Sequence, residues 1–372
     1  MLIGTFHNPS WISAHVGPIA GAGIDRVLLV TDEPIGHIEN VTSICPPRWL
    51  QRGVSRAGAK LIWSIYVAIR HSPSVCIGYH VFPAGVIALV AAAVSGARSS
   101  FQMTSGQLEV EGGGWHAENR LLAALARPSK LVERAVLFMV RQFDLLIVRG
   151  GKARSYLRAH GFTGAIEEIT GSVVYPSSVL PFDHRNIDVL FVGRLAEYKR
   201  PDRFVEVIYR LVRLGATPRV VMIGDGPDRA LIDHMIGRYG LERHIELMGQ
   251  RYDVETLHRQ AKVLVLTSRW EGVSIAMLEA MAAGAVPVVS NVGDLSDVVQ
   301  AGNGVLIDAD DLDGFARAIQ LLLADAATWG QMSSKARATI EERSTRAAIT
   351  CRWRQALGAL LEVPERQAEA TD

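Results

Sequence analysis

The chain has 372 residues, 49% of them hydrophobic, and a formal net charge of +1 at neutral pH. That length allows two domains of roughly 150–200 residues each, with ample apolar content for buried sheets, and the bulk charge does not point to nucleic acid. The charge is unevenly split: residues 1–185 carry 17 Lys and Arg against 12 Asp and Glu, and residues 186–372 carry 22 against 26, so the halves face different partners. Cys45, Cys76 and Cys351 are scattered and odd in number, which argues against a disulfide framework, and no CxxC pair or metal-ligand cluster appears.

Met1–Phe6 reads as a strand followed by a loop, not as a charged-then-apolar signal peptide. His7 to Gly23 reads as a long glycine-bearing loop ahead of a strand at Arg26–Thr31. Ligands of α/β proteins bind beyond the carboxyl ends of strands, so His7, Asn8, Ser10, Trp11, His15 and Gly17 are expected to line a cleft. Further strands are expected at Val41–Cys45, Val75–Tyr79, Ser100–Met103, Leu145–Val148 and Ala165–Ile169. Helices are expected near Val54–Arg70, Ala84–Val94, Asn119–Phe143 (interrupted around Pro128) and Lys152–His160. This alternation predicts a doubly wound sheet. Gly21-Ala22-Gly23 lacks the spacing of a dinucleotide fingerprint.

Arg48, Arg52, Arg56, Lys60 and Arg70 come without an acidic residue and are interleaved with Leu50, Val54, Leu61, Ile62, Trp63, Ile65 and Tyr66. A basic amphipathic helix with aromatic residues suits an anionic membrane surface; the plainer reading is a surface helix packed on the sheet. The longest apolar run, about Gly85 to Ala97, is shorter than the roughly 20 residues that span a bilayer. The expectation is a cytoplasmic protein, peripheral at the inner face of the membrane if that helix binds it. His80 ends one strand, Gln102 and Ser105 follow the next, and Glu109, Glu111, Gly112-Gly113-Gly114, His116, Glu118 and Asn119 come after them.

Gly171 to Asn186, with Pro176, Ser177, Ser178 and Pro181, is the linker candidate. It divides the chain into an N-terminal domain 1–172, a linker 173–186, a C-terminal domain 187–345, a helix 346–362 that crosses back to the first domain, and a disordered tail 363–372. The second domain opens with strand Asp188–Val192 and Gly193-Arg194-Leu195-Ala196-Glu197-Tyr198-Lys199. Strand Val220–Ile223 runs into Gly224-Asp225-Gly226-Pro227, and strand Ile245–Met248 into Gly249-Gln250-Arg251-Tyr252-Asp253. Val263–Leu266 is a buried strand, Ile275–Ala283 a helix with Ser274 as N-cap and Gly284 beyond its end, and Ala285–Val289 another strand. That helix is apolar nearly all round, yet Glu279 stands in its middle, and a buried carboxylate needs a partner or a ligand. Glu271 lies on the loop before it, and Gly272-Val273-Ser274 offer backbone N–H groups at a helix start, a natural anion site. Ser290-Asn291-Val292-Gly293-Asp294 ends the next strand at the same edge, followed by strand Val305–Ile307 and helices Leu312–Ala324, Trp329–Arg343 and Arg346–Leu361.

Glu271 and Glu279, with seven residues between them, resemble the signature of retaining family 4 glycosyltransferases. Gly193-Arg194 with Lys199, and Gly224-Asp225-Gly226-Pro227, are similar to two further motifs of that family, in the same order. The resemblance implies the GT-B fold, two Rossmann-like doubly wound domains facing across a cleft. It implies transfer of a sugar from a UDP- or GDP-sugar to an acceptor hydroxyl, such as that of a lipid-linked saccharide in exopolysaccharide or envelope assembly, without cofactor or metal. In this reading Arg194 and Lys199 stabilise the departing diphosphate and Glu271 binds donor-sugar hydroxyls. Gly193, Gly226, Gly272, Val273, Ser274 and Glu279 hold the donor, Glu279 at the ribose, and Arg251 or Tyr252 packs on the base. His15, Gly17, His80, Gln102 and Ser105 fall on the acceptor side. The family's strand-end histidine is replaced here by Gln102 and Ser105. The alternatives are a nucleotide-sugar epimerase or hydrolase, and an inactive nucleotide-sugar-binding partner subunit.

Overall fold

A computed structural model of the chain describes residues 1–6, 9–114 and 127–362. His7, Asn8, His116, Glu118, Asn119 and the tail from residue 363 lie outside the described residues. The chain divides into two compact units, Met1–Ser172 together with the chain from Ile349 onward, and Val173–Ala348.

The first unit is built on a seven-stranded parallel sheet of β1 (Leu2–Ile3), β2 (Val27–Val30), β3 (Val41–Ile44), β4 (Val75–Tyr79), β5 (Arg98–Gln102), β6 (Leu145–Val148) and β7 (Ala165–Glu168), in the order β3-β2-β1-β4-β5-β6-β7. β2, β4 and β6 are buried along their whole length, as continuous apolar runs in a sheet covered on both faces must be. The segment expected as a loop from His7 to Gly23 is instead helical over Pro9–His15 and Gly17–Ala20. Ile12, Val16, Ile19 and Ala20 recur at helical spacing and are buried in the core with Leu2, Leu29 and Ile77, so burial of that stripe overrides the glycines and prolines around it. The same core takes Ile349, Trp353, Ala356, Leu357 and Leu360 from the helix Arg346–Glu362.

The basic segment forms two helices, Arg48–Gly53 and Arg56–His71. Lys60, counted with its basic face, points inward: it is buried and donates to Gly4 O (3.0 Å), Thr5 Oγ1 (2.7 Å) and Asp32 Oδ2 (2.8 Å). A cation on the inner face of a helix needs such a set of acceptors. No helix among the described residues is long and apolar enough to cross a membrane.

The second unit has a six-stranded parallel sheet of β8 (Ile187–Val192), β9 (Val220–Ile223), β10 (Ile245–Leu247), β11 (Ala261–Leu266), β12 (Val286–Ser290) and β13 (Val305–Ile307), in the order β10-β9-β8-β11-β12-β13. Helix Pro201–Arg213 covers one face, burying Phe204, Ile208 and Leu211 from one helical stripe. Residues 173–186, set apart as a linker on composition, are grouped with this unit: Val173 N–H donates to Ser344 O (2.9 Å), Arg337 sits 4.4 Å from the Tyr175 ring, and Arg185 spends its guanidinium on the Leu180, Ala261 and Ala283 carbonyls.

Candidate functional site

In the second unit the strand order runs outward from β8 in one direction and from β11 in the other, so the crossovers part between these neighbours. Ligands of open α/β sheets bind at such a switch point, beyond the carboxyl ends of the strands. The turns after β8 and β11 carry Gly193, Arg194 and Lys199, and Ser268 to Ser274.

These turns are interlocked through backbone. Gly224 has φ +137, and a Cβ there would lie 1.8 Å from the Gly193 carbonyl oxygen; one on Gly226 would lie 2.2 Å from Leu195 O. Gly293 has φ +52, and its Cβ would lie 1.7 Å from Glu271 O. Only glycine permits such approach. Leu195 N–H donates to Asp225 O and Asp228 N–H to Leu195 O, both at 3.0 Å, which ties the Gly-Arg turn to the Gly-Asp-Gly-Pro turn.

The structure joins two of the expected residues to each other. Lys199 Nζ is paired with Glu271 Oε1, both side chains largely buried, and Ser268 Oγ donates to the same oxygen at 2.7 Å. Tyr198 stacks on Trp270 with ring centroids 6.0 Å apart, and Arg269 N–H donates to Tyr198 O at 2.8 Å. Arg194 is exposed at the start of the same turn. Ser274 caps the helix Ile275–Ala282, its Oγ accepting from Met277 N–H at 3.4 Å. Among the described residues, the N–H groups of Gly272, Val273 and Ser274 donate to no backbone carbonyl. Two cations and a helix start with free donors make an anion cradle.

Glu279 stands on that helix with its carboxyl pushed up to about 7, first by burial and then by the charge of Glu255. His258, on the helix Val254–Gln260, places Nδ1 3.8 Å from Glu279 Oε2. Arg251 and Tyr252 stand on the turn after β10. Arg251 is in a two-pronged pair with Asp253 (2.8 and 2.7 Å), and the Tyr252 ring is 90% exposed.

At the carboxyl edge of the first unit, Arg149, which sequence reasoning did not single out, and Glu109, which it named without a role, organise the expected residues. Arg149, fully buried directly after β6, donates to Ile169 O (2.7 Å), Gln102 Oε1 (3.2 Å) and His15 Nδ1 (3.2 Å). His15 therefore accepts at Nδ1, and burial followed by the Arg149 charge holds it well below the usual histidine range. Burial lowers Arg149 itself to about 10. Glu109, also fully buried, accepts from Ser105 N–H (2.7 Å), Thr104 N–H and Oγ1, and Val81 N–H (3.3 Å), and lies 3.2 Å from His80 Nδ1. Burial pushes its carboxyl up, but His80 and these donors outweigh it, so the net direction is down. His80 has φ +63, a conformation held by this network. Gly17 is buried in the first turn of its helix. The one sequence signal for Arg149 is its position, a cation closing an apolar strand ahead of Gly150-Gly151.

Two doubly wound parallel sheets in two units are the α/β architecture of the GT-B fold. Over 96% of this chain and 99% of the other, it is similar to the crystal structure of HepE from Anabaena in complex with UDP-glucose, with a TM-score of 0.73 at 16% identity. TarM from S. aureus, solved with UDP, matches with a TM-score of 0.66 at 19% identity, over 82% of this chain and 59% of that one. In sequence, residues 177–339 match the family described as "Glycosyl transferases group 1". The lipopolysaccharide core biosynthesis mannosyltransferase LpsB of Rhizobium meliloti is 26% identical over 202 residues, 50% of this chain and 58% of that protein. The UDP-Gal:alpha-D-GlcNAc-diphosphoundecaprenol alpha-1,3-galactosyltransferase of Escherichia coli is 33% identical over 135 residues, 34% of each chain. The aligned stretches thus take in between about a third and three fifths of these curated relatives.

Proposed function

We propose that this protein is a retaining glycosyltransferase that moves a hexose from a UDP- or GDP-sugar to an acceptor hydroxyl. The observation that carries the proposal is the second unit's switch point: free amides of Gly272–Ser274 at a helix start, with Lys199 and Arg194 on the adjoining turn. In the reaction the bond from the sugar's anomeric carbon to the diphosphate oxygen breaks and a bond to the acceptor oxygen forms, while the acceptor proton passes to the departing diphosphate. Arg194, Lys199 and the amides meet the charge that develops on the diphosphate, where preorganised donors act most strongly. Side-chain and backbone donors take this role without a metal. Glu271, held by Lys199 and Ser268, presents its remaining acceptor capacity to donor-sugar hydroxyls. Glu279 accepts from the ribose, Gly193 and Gly226 let the backbone approach the nucleotide, and Arg251 or Tyr252 turns onto the base.

The acceptor is a lipid-linked saccharide. This rests on the E. coli relative, whose name specifies a diphosphoundecaprenol acceptor, and on the first unit's surface. Trp49 (70% exposed), Ile69 (63%), Ile62 and Tyr66 lie bare among the exposed Arg48, Arg52, Arg56 and Arg70, and no Asp or Glu stands between residues 40 and 108. Exposed aromatic and aliphatic groups ringed by arginines that form no ion pair among the described residues fit an anionic bilayer.

Thermal stabilisation by UDP, GDP and ADP, in EDTA, tests the donor reading. A nucleotide at 100 times its Kd adds about 2.7 kcal/mol of stability. The expected result is a clear shift with UDP or GDP that is weakened in both Lys199→Ala and Glu279→Ala. No shift with any of the three overturns the donor site. Binding followed by sugar release without acceptor transfer supports a hydrolase or epimerase instead, and binding with no turnover an inactive partner subunit.

A further inference from the structure

His258 is the one buried histidine in the second unit's core whose two ring nitrogens both lack a hydrogen-bond partner among the described residues. It is 1% exposed, on the helix Val254–Gln260 that packs against the helix bearing Glu279. A buried polar ring normally finds a partner, because desolvation without one is costly. Glu279 faces it, with Oε2 3.8 Å from Nδ1, just too far for a hydrogen bond. Glu279 is only partly buried, its side chain 33% exposed, and no hydrogen bond from the described residues reaches its carboxyl group. An unpartnered imidazole thus faces a carboxyl group that is open to solvent on its other side, at 3.8 Å.

The surrounding charges do not supply what is missing. On the helix that carries His258, Glu255 is the charged group acting on Glu279, and it acts by repulsion. On helix Ala326–Arg343, which also packs against the Glu279 helix, Arg337 spends its guanidinium on the Ala282 and Pro176 carbonyls and the Tyr175 ring. Below pH 7 a neutral imidazole and a neutral carboxylic acid make up the pair while the site is empty. Burial alone pushes His258 down to about 4. Hydroxyl donors arriving at the carboxyl group change the balance, since charge-assisted bonds favour its ionised form.

We infer that His258 is a positioning residue for Glu279: when ribose hydroxyls donate to Oε1, the imidazole N–H closes onto Oε2, and Glu279 releases one proton to solvent. Nucleoside diphosphate binding is therefore proton-linked, and preference for an intact ribose depends on His258. This rests on the assignment of Glu279 to the ribose in the donor reading above. The proton balance is closed: the acid O–H becomes a carboxylate, the proton leaves to buffer, and His258 stays neutral.

With Glu279 titrating at about 7, only about 1 in 11 empty sites is ionised at pH 6 and about 10 in 11 at pH 8. The Kd for UDP or GDP should fall about tenfold between those values. Isothermal titration calorimetry in two buffers of different ionisation enthalpy should report release of a proton on binding below pH 7. Glu279→Gln removes this component and leaves only the diphosphate's own titration, which is subtracted. His258→Phe, of similar volume but with no donor, should cut the preference for UDP over 2′,3′-dideoxy-UDP at least fivefold, and His258→Gln, which keeps a neutral N–H, should restore most of it. A general packing defect would weaken both nucleotides alike. The inference is overturned if wild-type Kd, after subtraction, is flat from pH 6 to 8, or if His258→Phe leaves the ribose preference intact. The pH measurement uses wild-type protein and decides the matter even if His258→Phe does not fold. Binding that depends on Lys199 and Glu279 but is flat in pH removes this inference alone; no nucleotide binding at all removes the donor reading with it.

Discussion

Lys199→Met tests how firmly the donor site is built into the fold. The Lys199 and Glu271 side chains are 13% and 9% exposed, so solvent screens their ion pair little. Without the ammonium, Glu271 keeps only the Ser268 hydroxyl as a donor at Oε1. Removing one partner of a buried pair costs about 3–5 kcal/mol. The expected loss is therefore about 3–5 kcal/mol at pH 7. Lys199→Met with Glu271→Gln leaves no stranded charge and should cost about 1 kcal/mol, far less than the sum of the single changes. Urea unfolding followed in parallel by far-UV circular dichroism and tryptophan fluorescence measures all four proteins, and coincident curves justify treating each transition as two-state. A Lys199→Met loss below 1 kcal/mol at pH 7, or a double variant that loses the sum of the singles, refutes the reasoning.

Two further outcomes rest on the first unit. Glu109→Gln should lower stability by about 2–4 kcal/mol at pH 7 through the loss of charge-assisted bonds to Thr104 and Ser105 and an amide placed against Val81 N–H. Because Glu109 is held below its ordinary value of 4.5 in the folded protein, its stabilisation is full above that pH and is lost as the pH falls through the folded value. The gap between wild type and Glu109→Gln in urea melts should therefore close in acid, and a constant gap counts against an ionised Glu109. Sedimentation with vesicles containing anionic lipid should retain the protein at low salt and release it at high salt, with Arg52→Glu and Arg56→Glu together abolishing retention; retention on neutral vesicles, or by the doubly substituted protein, removes the membrane assignment.

Much of the chain's organisation follows from local pattern. The runs Val75–Tyr79, Leu145–Val148, Val220–Ile223 and Val286–Ser290 are strands because each is a short apolar stretch between turn residues, and a parallel sheet buries both faces of its inner strands. The helix Ile275–Ala282 was legible from Ser274 and Gly284 at its ends, and Glu279 from the conflict between a carboxylate and an apolar helix. Pairings between distant residues were not legible, because side-chain partners far apart in sequence leave no local trace. Lys199 meets Glu271 across 72 residues, Arg149 meets His15 across 134, and Lys60 turns inward to Asp32, although its helix reads as uniformly basic. The stretch from Pro9 to Ala20 shows the same limit from the other side, since its glycines and prolines signal a loop until the rest of the core is present to bury Ile12, Val16 and Ile19. Sequence determined where most strands and turns lie, since hydrophobic period and turn residues are local. Tertiary structure alone decided which buried polar groups are satisfied and which, like His258 beside Glu279, are left without a partner, because desolvation and pairing depend on what the fold places around each group.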